Sequence, residues 1–292
     1  MPMIGYGTYT IGYRHIDTAY IYNNEDIVGE VLSNWLASGR IKREELFVTT
    51  KLPGFSHRKA DVEPSLLESL RSLKLDYIDL YLIHSPMGMK RGTGEVYAKV
   101  DDQVIVDVVD HMETWKAMEE IYKKGLARSI GLSNFNLLQL ERVVSNCSIK
   151  PHNLQSECHL YWPQNELLTF CRKHNISFTA YGPLGAPYRQ KSNANDSACM
   201  PLQDPTVLSI ASKLGKSPAQ VLLKWLLQRG IAVIPRSTKE NRIRENFELS
   251  DFTLDDADMA ALSNVSVRRQ LFLYTWALNH PDHPNTTLVQ YF

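Results

Sequence analysis

Four side chains of types that could tune a proton transfer lie at or just after predicted β-strands: Asp17, Tyr22, Lys51 and His84. A tyrosine hydroxyl has an ordinary pKa of about 10, which is too high for easy proton transfer at neutral pH. A lysine ammonium beside a phenol favours the phenolate, and an aspartate would hold that lysine charged. A histidine nearby can donate to a carbonyl oxygen. The set therefore predicts an acid, Tyr22, that protonates an alkoxide as an aldehyde or ketone is reduced.

Such a reduction also needs a hydride, and the sequence offers no flavin motif and no cluster of metal ligands. The cysteines, Cys147, Cys158, Cys171 and Cys199, match no CxxC spacing and are expected to be buried free thiols. A nicotinamide cofactor is therefore expected. Because no GxGxxG motif follows the first strand, the usual dinucleotide-binding fold is not indicated.

Strands and helices that alternate along the chain would bring the four residues together. Short strand segments are predicted over 13–17, 45–51, 77–84, 127–135, 152–158, 176–185 and 230–237, and residues 3–8 would add an eighth. Between them run helical stripes of apolar residues, with Pro64 and Pro218 near helix starts. This pattern predicts the α/β fold class, a (β/α)8 TIM barrel formed by a single domain over residues 1–292. The carboxyl ends of barrel strands form one active-site face.

Three long segments interrupt the alternation: residues 85–112, 183–204 and 264–292. Long irregular segments in compact domains are usually functional or disordered, so these are expected to wall a substrate pocket. The large apolar residues of these segments could form a pocket for a hydrophobic carbonyl compound, or they could only pack the tail onto the barrel. These residues are Met87, Met89, Tyr97, Leu271, Phe272, Tyr274 and Trp276.

The bulk composition sets limits on partners. The 292 residues include 32 Lys+Arg and 32 Asp+Glu, so the net charge is zero and gives no general attraction to nucleic acid or an anionic membrane. The beginning of the sequence does not resemble a signal peptide, and no run approaches the ~18 apolar residues of a membrane span. A cytoplasmic monomer acting on a small molecule is expected.

Seven segments, in order, resemble the aldo-keto reductase superfamily, in particular its aldose and aldehyde reductase-like members. The segments are IDTAYIYNNEDIVGE (16–30), VTTK (48–51), LYLIHSP (80–86), GLSNF (131–135), LQSECH (154–159), AYGPLG (180–185) and VIPRSTKENRIRENF (233–247). The resemblance implies a (β/α)8 barrel that reduces carbonyl compounds with NADPH. The style of the sequence also resembles an insect branch that includes ecdysteroid ketone reductases, which suggests a ketosteroid or a lipid aldehyde as substrate.

Matched residue by residue, the resemblance implies that Asp17, Tyr22, Lys51 and His84 form the catalytic tetrad. Ser133, Asn134 and Gln155 match residues that hold the nicotinamide carboxamide, and Tyr181 matches the aromatic residue on which the ring stacks. Leu184 begins a loop, to residue 189, that folds over the pyrophosphate. The remaining matches concern the adenosine half of the cofactor: Arg236, Ser237 and Thr238 for the 2′-phosphate, Arg242 for adenosine, and Glu245 and Asn246 for adenine.

Several positions depart from the family pattern. Gly182 stands where serine is common. Tyr9 and Pro53 stand where many members carry tryptophan, and Ser85 stands in place of an aromatic residue. With Trp276 on the tail, these residues predict a pocket that is roomier or more polar than a small-aldehyde site. Relative to the family pattern, the residues of the first barrel helix are missing between Thr10 and Gly12 of this sequence. The first two strands are joined by too few residues for parallel neighbours, so either they are not neighbours or a segment that belongs between them is missing.

Two other function classes remain as alternatives. Lys51 could form a Schiff base, as in aldolases that use barrels, although such a lysine would not be expected beside Asp17 and Tyr22. The chain could also be a non-enzymatic barrel that keeps an NADPH site, such as a channel subunit or an inactive isoform. A missing tetrad residue or a shortened tail would indicate the latter, and this sequence has neither.

Overall fold

The computed structural model describes residues 12–187 and 200–285. The strands are β1 (His15–Asp17), β2 (Phe47–Leu52), β3 (Leu80–Ile83), β4 (Lys99–Val100), β5 (Gln103–Val104), β6 (Ile130–Ser133), β7 (Asn153–Glu157), β8 (Ser177–Tyr181) and β9 (Ile231–Val233). Six of the seven predicted segments from residue 13 onwards contain one of these strands, and the segment 45–51 covers all of β2 except Leu52. The expected strand at 3–8, its junction with β1, Tyr9 and Cys199 lie outside the described residues.

Helices alternate with the strands, as the apolar spacing predicts. They are α1 (Glu25–Ala37), α2 (Lys59–Leu73), α3 (His111–Lys123), α4 (Leu137–Asn146), α5 (Asn165–His174), α6 (Pro205–Leu214), α7 (Pro218–Gln228), α8 (Glu240–Glu245) and α9 (Asp256–Ser263). A single turn of 3-10 helix, Tyr20–Tyr22, follows β1 after two intervening residues. This turn brings Tyr22 back towards the end of the strand that carries Asp17.

Seven strands form one sheet in the order β1-β2-β3-β6-β7-β8-β9, and β4 and β5 form a separate antiparallel pair inside the 85–112 segment. Thr49 of β2 lies opposite Leu80 of β3, and Phe178 of β8 lies opposite Ile231 of β9, both in parallel register. A Cβ at Gly131 would lie 2.3 Å from the Asn153 carbonyl oxygen, so glycine is needed where β6 passes that backbone.

The chain divides into two compact units. Among the described residues, the first unit contains 12–15, 155–169, 177–187 and 200–272, and its buried core includes Trp225 and Val233. The second unit contains 16–154, 170–176 and 273–285, and it buries Trp115, Tyr81 and Phe135. The expectation of a single domain over 1–292 stays a prediction.

Helix starts show where local sequence signals suffice and where they do not. Pro218 is the first residue of α7, behind an N-cap Ser217 that forms a capping box with Gln220. The expectation for Pro64 is wrong, because α2 begins at Lys59 and Pro64 lies inside the helix. No side chain caps that start locally; instead Glu113 of α3 accepts the Lys59 amide at 3.0 Å. A cap supplied by another helix leaves no signal near Pro64 in the sequence.

Candidate active site

The second unit contains all four residues of the predicted tetrad, at the carboxyl ends of neighbouring strands. Asp17 ends β1, and Tyr22 ends the 3-10 turn that follows it. Lys51 is the penultimate residue of β2, and His84 is the first residue after β3. The amide N–H of His84 donates to the Leu52 carbonyl at 3.2 Å. The expectation that Lys51 and His84 each end a strand is therefore wrong by one residue, whereas their placement at one edge holds.

Lys51 is a fully buried cation held by oxygen partners. Its Nζ donates to Asp17 Oδ1 at 2.5 Å and to the Thr18 carbonyl at 2.8 Å. Burial alone would lower the pKa of Lys51, but the charges and hydrogen bonds of Asp17 and Tyr22 outweigh it and leave the pKa raised. Lys51 is therefore protonated at neutral pH, which puts a fixed positive charge beside the phenol of Tyr22.

Tyr22 and His84 lie next to this ion pair. Lys51 Nζ lies 5.1 Å from the centre of the Tyr22 ring, and the His84 ring meets the same ring edge-on at 5.6 Å. The Tyr22 side chain is 48% exposed, although Lys51 behind it is buried. A proton on the Tyr22 hydroxyl can therefore reach a ligand that approaches from solvent.

His84 is neutral at physiological pH. Burial, the Lys51 charge and His57 together hold its pKa well below the usual range. Its Nδ1 is buried and has no hydrogen-bond partner in the described part of the chain, which adds to the cost of a second ring proton. A neutral imidazole donates through one ring nitrogen, so His84 can orient a carbonyl oxygen without carrying charge.

Two supporting contacts around Lys51 were not foreseen from the sequence. Thr18, whose carbonyl holds Lys51, also donates its hydroxyl to Asn24 Oδ1 at 2.8 Å. Thr50 donates to the buried Glu25 carboxyl at 2.5 Å, and burial raises the pKa of Glu25. Thr18, Asn24 and Glu25 all lie in the 16–30 segment, so the signal for their role was the density of polar residues there.

Two candidate carboxamide residues lie at the end of β6 in the second unit: Ser133 is its last residue and Asn134 follows it. Ser133 and Asn134 are buried, and Asn134 has a left-handed φ of 65°. Asn134 Nδ2 donates to the His84 carbonyl at 2.8 Å and to Ser133 Oγ at 3.1 Å. These bonds fix the amide of Asn134 relative to the strand end that carries His84.

The first unit contains the other candidates for the nicotinamide half. Gln155 is buried within β7, and Tyr181 ends β8 with its ring partly exposed. Leu184 is partly exposed, and the loop that it begins is described only to residue 187. An amide and a partly open phenol ring are groups that can bind a carboxamide and stack on a flat ring.

The candidate adenosine residues surround the short helix α8. Arg236, Thr238 and Arg242 are exposed, Ser237 and Glu245 are partly buried, and Asn246 is buried. Arg236 lies four residues before α8 and Arg242 is the third residue of that helix, so the two arginines flank the helix start. Tyr13 anchors the helix by donating to the Ile243 carbonyl at 3.0 Å. The exposed guanidinium groups fit a phosphate, which arginine binds through paired N–H groups.

The expected substrate residues are only partly available to a ligand. Trp276 is 43% exposed and stacks on Tyr97 at 5.7 Å, whereas Ser85 is largely buried and donates to the Met87 carbonyl at 3.3 Å. Of the two interpretations of Met87 and Met89, their burial supports packing of the tail rather than the lining of a pocket. They are buried against Val104 and Ala277, as the 85–112 segment and the tail pack together.

Among the described residues, the cysteines and the potential metal ligands form no second reaction centre. Of the three described cysteines, all are free; burial raises the pKa of Cys158 and of Cys171 to about 12, so both thiols are inert. Within 12–187 and 200–285, no group of histidine, cysteine or acidic residues is placed to hold a metal ion. No helix described here has the length and apolar character to cross a membrane.

Comparison with known proteins places these residues in context. The model of the Aldo/keto reductase family matches residues 7–266. Aldo-keto reductase family 1 member A1 of Xenopus tropicalis is 42% identical over 282 residues, covering 91% of this chain and 86% of that protein. The human protein of the same name is 41% identical over the same shares of both chains.

Solved structures agree with the sequence comparison. The structure of the aldose reductase from Schistosoma japonicum superposes with a TM-score of 0.90 at 39% identity, covering 98% of this chain and 96% of that one. The expected fold class, an α/β fold of the (β/α)8 type, is thereby confirmed.

Proposed function

This chain belongs to the aldo/keto reductase family and is an NADP-dependent oxidoreductase that acts on carbonyl groups, and from that premise we propose that it reduces aldehydes and ketones to alcohols with NADPH and with Tyr22 as the general acid. The observation that carries the proposal is the buried Lys51–Asp17 pair at 2.5 Å behind a half-exposed Tyr22. It places a permanent cation beside a hydroxyl that a substrate can reach.

The residues present fit a nicotinamide cofactor. Ser133, Asn134 and Gln155 would bind the carboxamide, and Tyr181 would carry the ring. Arg236, Ser237 and Thr238 would bind the 2′-phosphate, with Arg242, Glu245 and Asn246 on adenosine and Leu184 near the pyrophosphate. Two exposed arginines support NADPH over NADH, because an NAD site typically carries an acidic residue for the ribose hydroxyl. When bound, NADPH supplies the hydride.

The protein's own residues supply the proton and the orientation. Neutral His84 donates to the carbonyl oxygen and holds it near Tyr22. As negative charge develops on that oxygen, Tyr22 transfers its hydroxyl proton to it, and Lys51 stabilises the phenolate left behind. Asp17 keeps Lys51 charged and in place. Each group is preorganised by a strand end or by a hydrogen bond, so little rearrangement is needed during the reaction.

The substrate we propose is a hydrophobic carbonyl compound, a lipid aldehyde or a ketosteroid of ecdysteroid type. The exposed part of Trp276 and its stack on Tyr97 support an apolar contact surface. The part played by Tyr9 and the narrower likeness to an insect branch stay predictions, as do the cytoplasmic location and the monomeric state.

Purified protein should oxidise NADPH in the presence of 4-nitrobenzaldehyde and form an equal amount of the alcohol, and NADH should serve poorly. The measurement is loss of NADPH absorbance together with product quantification, with enzyme-free and aldehyde-free controls. NADPH binding without turnover on any of a panel of aldehydes, ketosteroids and ecdysteroids would instead favour the non-enzymatic barrel.

A further inference from the structure

The Tyr181 ring has an aromatic neighbour that the proposed function does not use. Phe272, from the segment after α9, meets the Tyr181 ring edge-on, with centroids 5.1 Å apart and planes at 85°. Perpendicular contacts of this kind are a favoured arrangement of aromatic pairs. Because both residues belong to the first unit, the contact lies inside one compact body.

A buried carboxylate holds Phe272 in this position. Glu157, the last residue of β7, accepts the Leu271 amide at 2.7 Å with Oε1 and the Phe272 amide at 3.1 Å with Oε2. His159 Nε2 lies 2.9 Å from the same Oε1. Because one carboxylate accepts two consecutive backbone amides, it fixes both the position and the direction of the backbone at residues 271–272.

Gly182 shows that this arrangement extends along the end of β8. Its φ is 61°, in the left-handed region, and a Cβ there would lie 3.4 Å from Phe272 Cε2. The Phe272 ring therefore occupies the space beside residue 182 as well as the edge of Tyr181. A Cβ at that distance would only be in van der Waals contact with the ring, so it is the left-handed φ that favours glycine here, where serine is common in the family.

We propose that Phe272 and Glu157 are positioning residues for the cofactor: Glu157 holds the 271–272 backbone, and Phe272 sets the plane of the Tyr181 ring on which the nicotinamide stacks. The inference rests on the proposed function, because it takes Tyr181 as the stacking residue. A tyrosine ring at a strand end can turn about its side-chain bonds. An edge contact limits that rotation, so less conformational entropy is lost when a flat ring binds against it.

The direct test is NADPH affinity in variants at residue 272, measured by fluorescence titration without substrate. Phe272→Ala should raise the Kd for NADPH by about three- to ten-fold, the range expected for one aromatic edge contact. Phe272→Tyr, which keeps the ring, should restore the affinity to within about two-fold of the original protein. In the alanine variant, transfer from NADPH deuterated on one face of the nicotinamide should also lose some of its facial selectivity.

The link to Glu157 is tested by Glu157→Gln, which keeps the shape but leaves only one oxygen to accept the two amides. Its Kd should rise, and the double variant with Phe272→Ala should bind no more weakly than Phe272→Ala alone, because both act through one ring. Glu166→Gln, on the exposed start of α5, is the matched control and should bind NADPH normally.

The outcomes separate the two proposals. Failure of the unaltered protein to bind NADPH contradicts the proposed function itself. Normal binding by the unaltered protein and by Phe272→Ala overturns the positioning role alone. A Kd raised equally in the alanine and tyrosine variants also overturns it, since the ring edge would then not be what matters. If the increases in Kd caused by Glu157→Gln and Phe272→Ala multiply in the double variant, the two residues act independently, which would contradict the proposed link through the 271–272 backbone.

Discussion

Lys51 shows what single residues contribute to this site. Its type and its position at a strand end are visible in the sequence, and they suffice to suggest a tuned tyrosine. The carbonyl of Thr18, which takes the second ammonium hydrogen bond, could not be predicted, because a backbone group carries no residue-specific signal. The neutral state of His84 likewise depends on burial and on His57, neither of which sequence spacing reveals.

Arg236 is a second single residue with a large expected effect, because its charge is expected to determine the preference for NADPH over NADH. Arg236→Glu should raise the KM for NADPH at least about ten-fold and change the KM for NADH far less, since loss of one charge-assisted phosphate contact costs about 1.5–3 kcal/mol. Steady-state kinetics with each cofactor measure this.

Arg40→Glu makes the same charge change at an exposed residue after α1, and it should leave both KM values unchanged. Equal increases for NADPH and NADH in Arg236→Glu would contradict the assignment of the 2′-phosphate site.

At the scale of elements, the positions of the strands could be predicted from the sequence, but the side-chain contacts that join distant elements could not. Alternating apolar runs located all seven described strands of the main sheet, because β-branched runs between turn residues are a local signal. Contacts between distant elements gave no such signal. The start of α2 is capped by α3 through Glu113, and the methionines of the 85–112 segment pack with Ala277 of the tail.

Asp79 makes a contact of this kind, which joins the beginnings of β2 and β3. Its buried Oδ2 accepts the Val48 amide at 2.9 Å and Arg43 Nη2 at 2.6 Å. Asp79→Ala should lower the free energy of unfolding by about 1–3 kcal/mol, because the Val48 amide loses its buried partner. Urea denaturation measures this, with Asp76→Ala at an exposed position three residues earlier as the control. Equal free energies of unfolding for the two variants would show that the Asp79 side chain does not stabilise the contact between these strands.

For the molecule as a whole, buried neutral histidines should set the response to acid. Burial, with His111 and His280 nearby, lowers the pKa of His57 to about 3, and burial is also the main cause of the lowered pKa values of His84, His111 and His280. Asp282, 3.7 Å from His111, opposes the shifts of His111 and His280. No feature of the sequence marks these histidines as a group, because they come from separate segments of the second unit.

The sign follows from proton binding. An unfolded histidine takes up a proton as pH falls through its ordinary pKa of about 6.5, whereas the buried ring does not, so acid favours the unfolded chain. Between pH 7.5 and pH 5.5, each such histidine should cost roughly 1 kcal/mol of stability. Urea midpoints at both pH values measure the loss, which should be smaller in His57→Gln. A midpoint that stays constant or rises at pH 5.5 would contradict the neutral state of these rings.

The central claim, that Tyr22 delivers the proton to a carbonyl reduced by NADPH, is tested most directly by turnover of Tyr22→Phe. Tyr20→Phe is the matched control, since Tyr20 belongs to the same 3-10 turn but donates its hydroxyl to Glu68 at 2.9 Å. Tyr22→Phe should reduce 4-nitrobenzaldehyde at least about 100-fold more slowly while binding NADPH with nearly unchanged Kd, and Tyr20→Phe should keep its rate. Full activity of Tyr22→Phe would contradict the account.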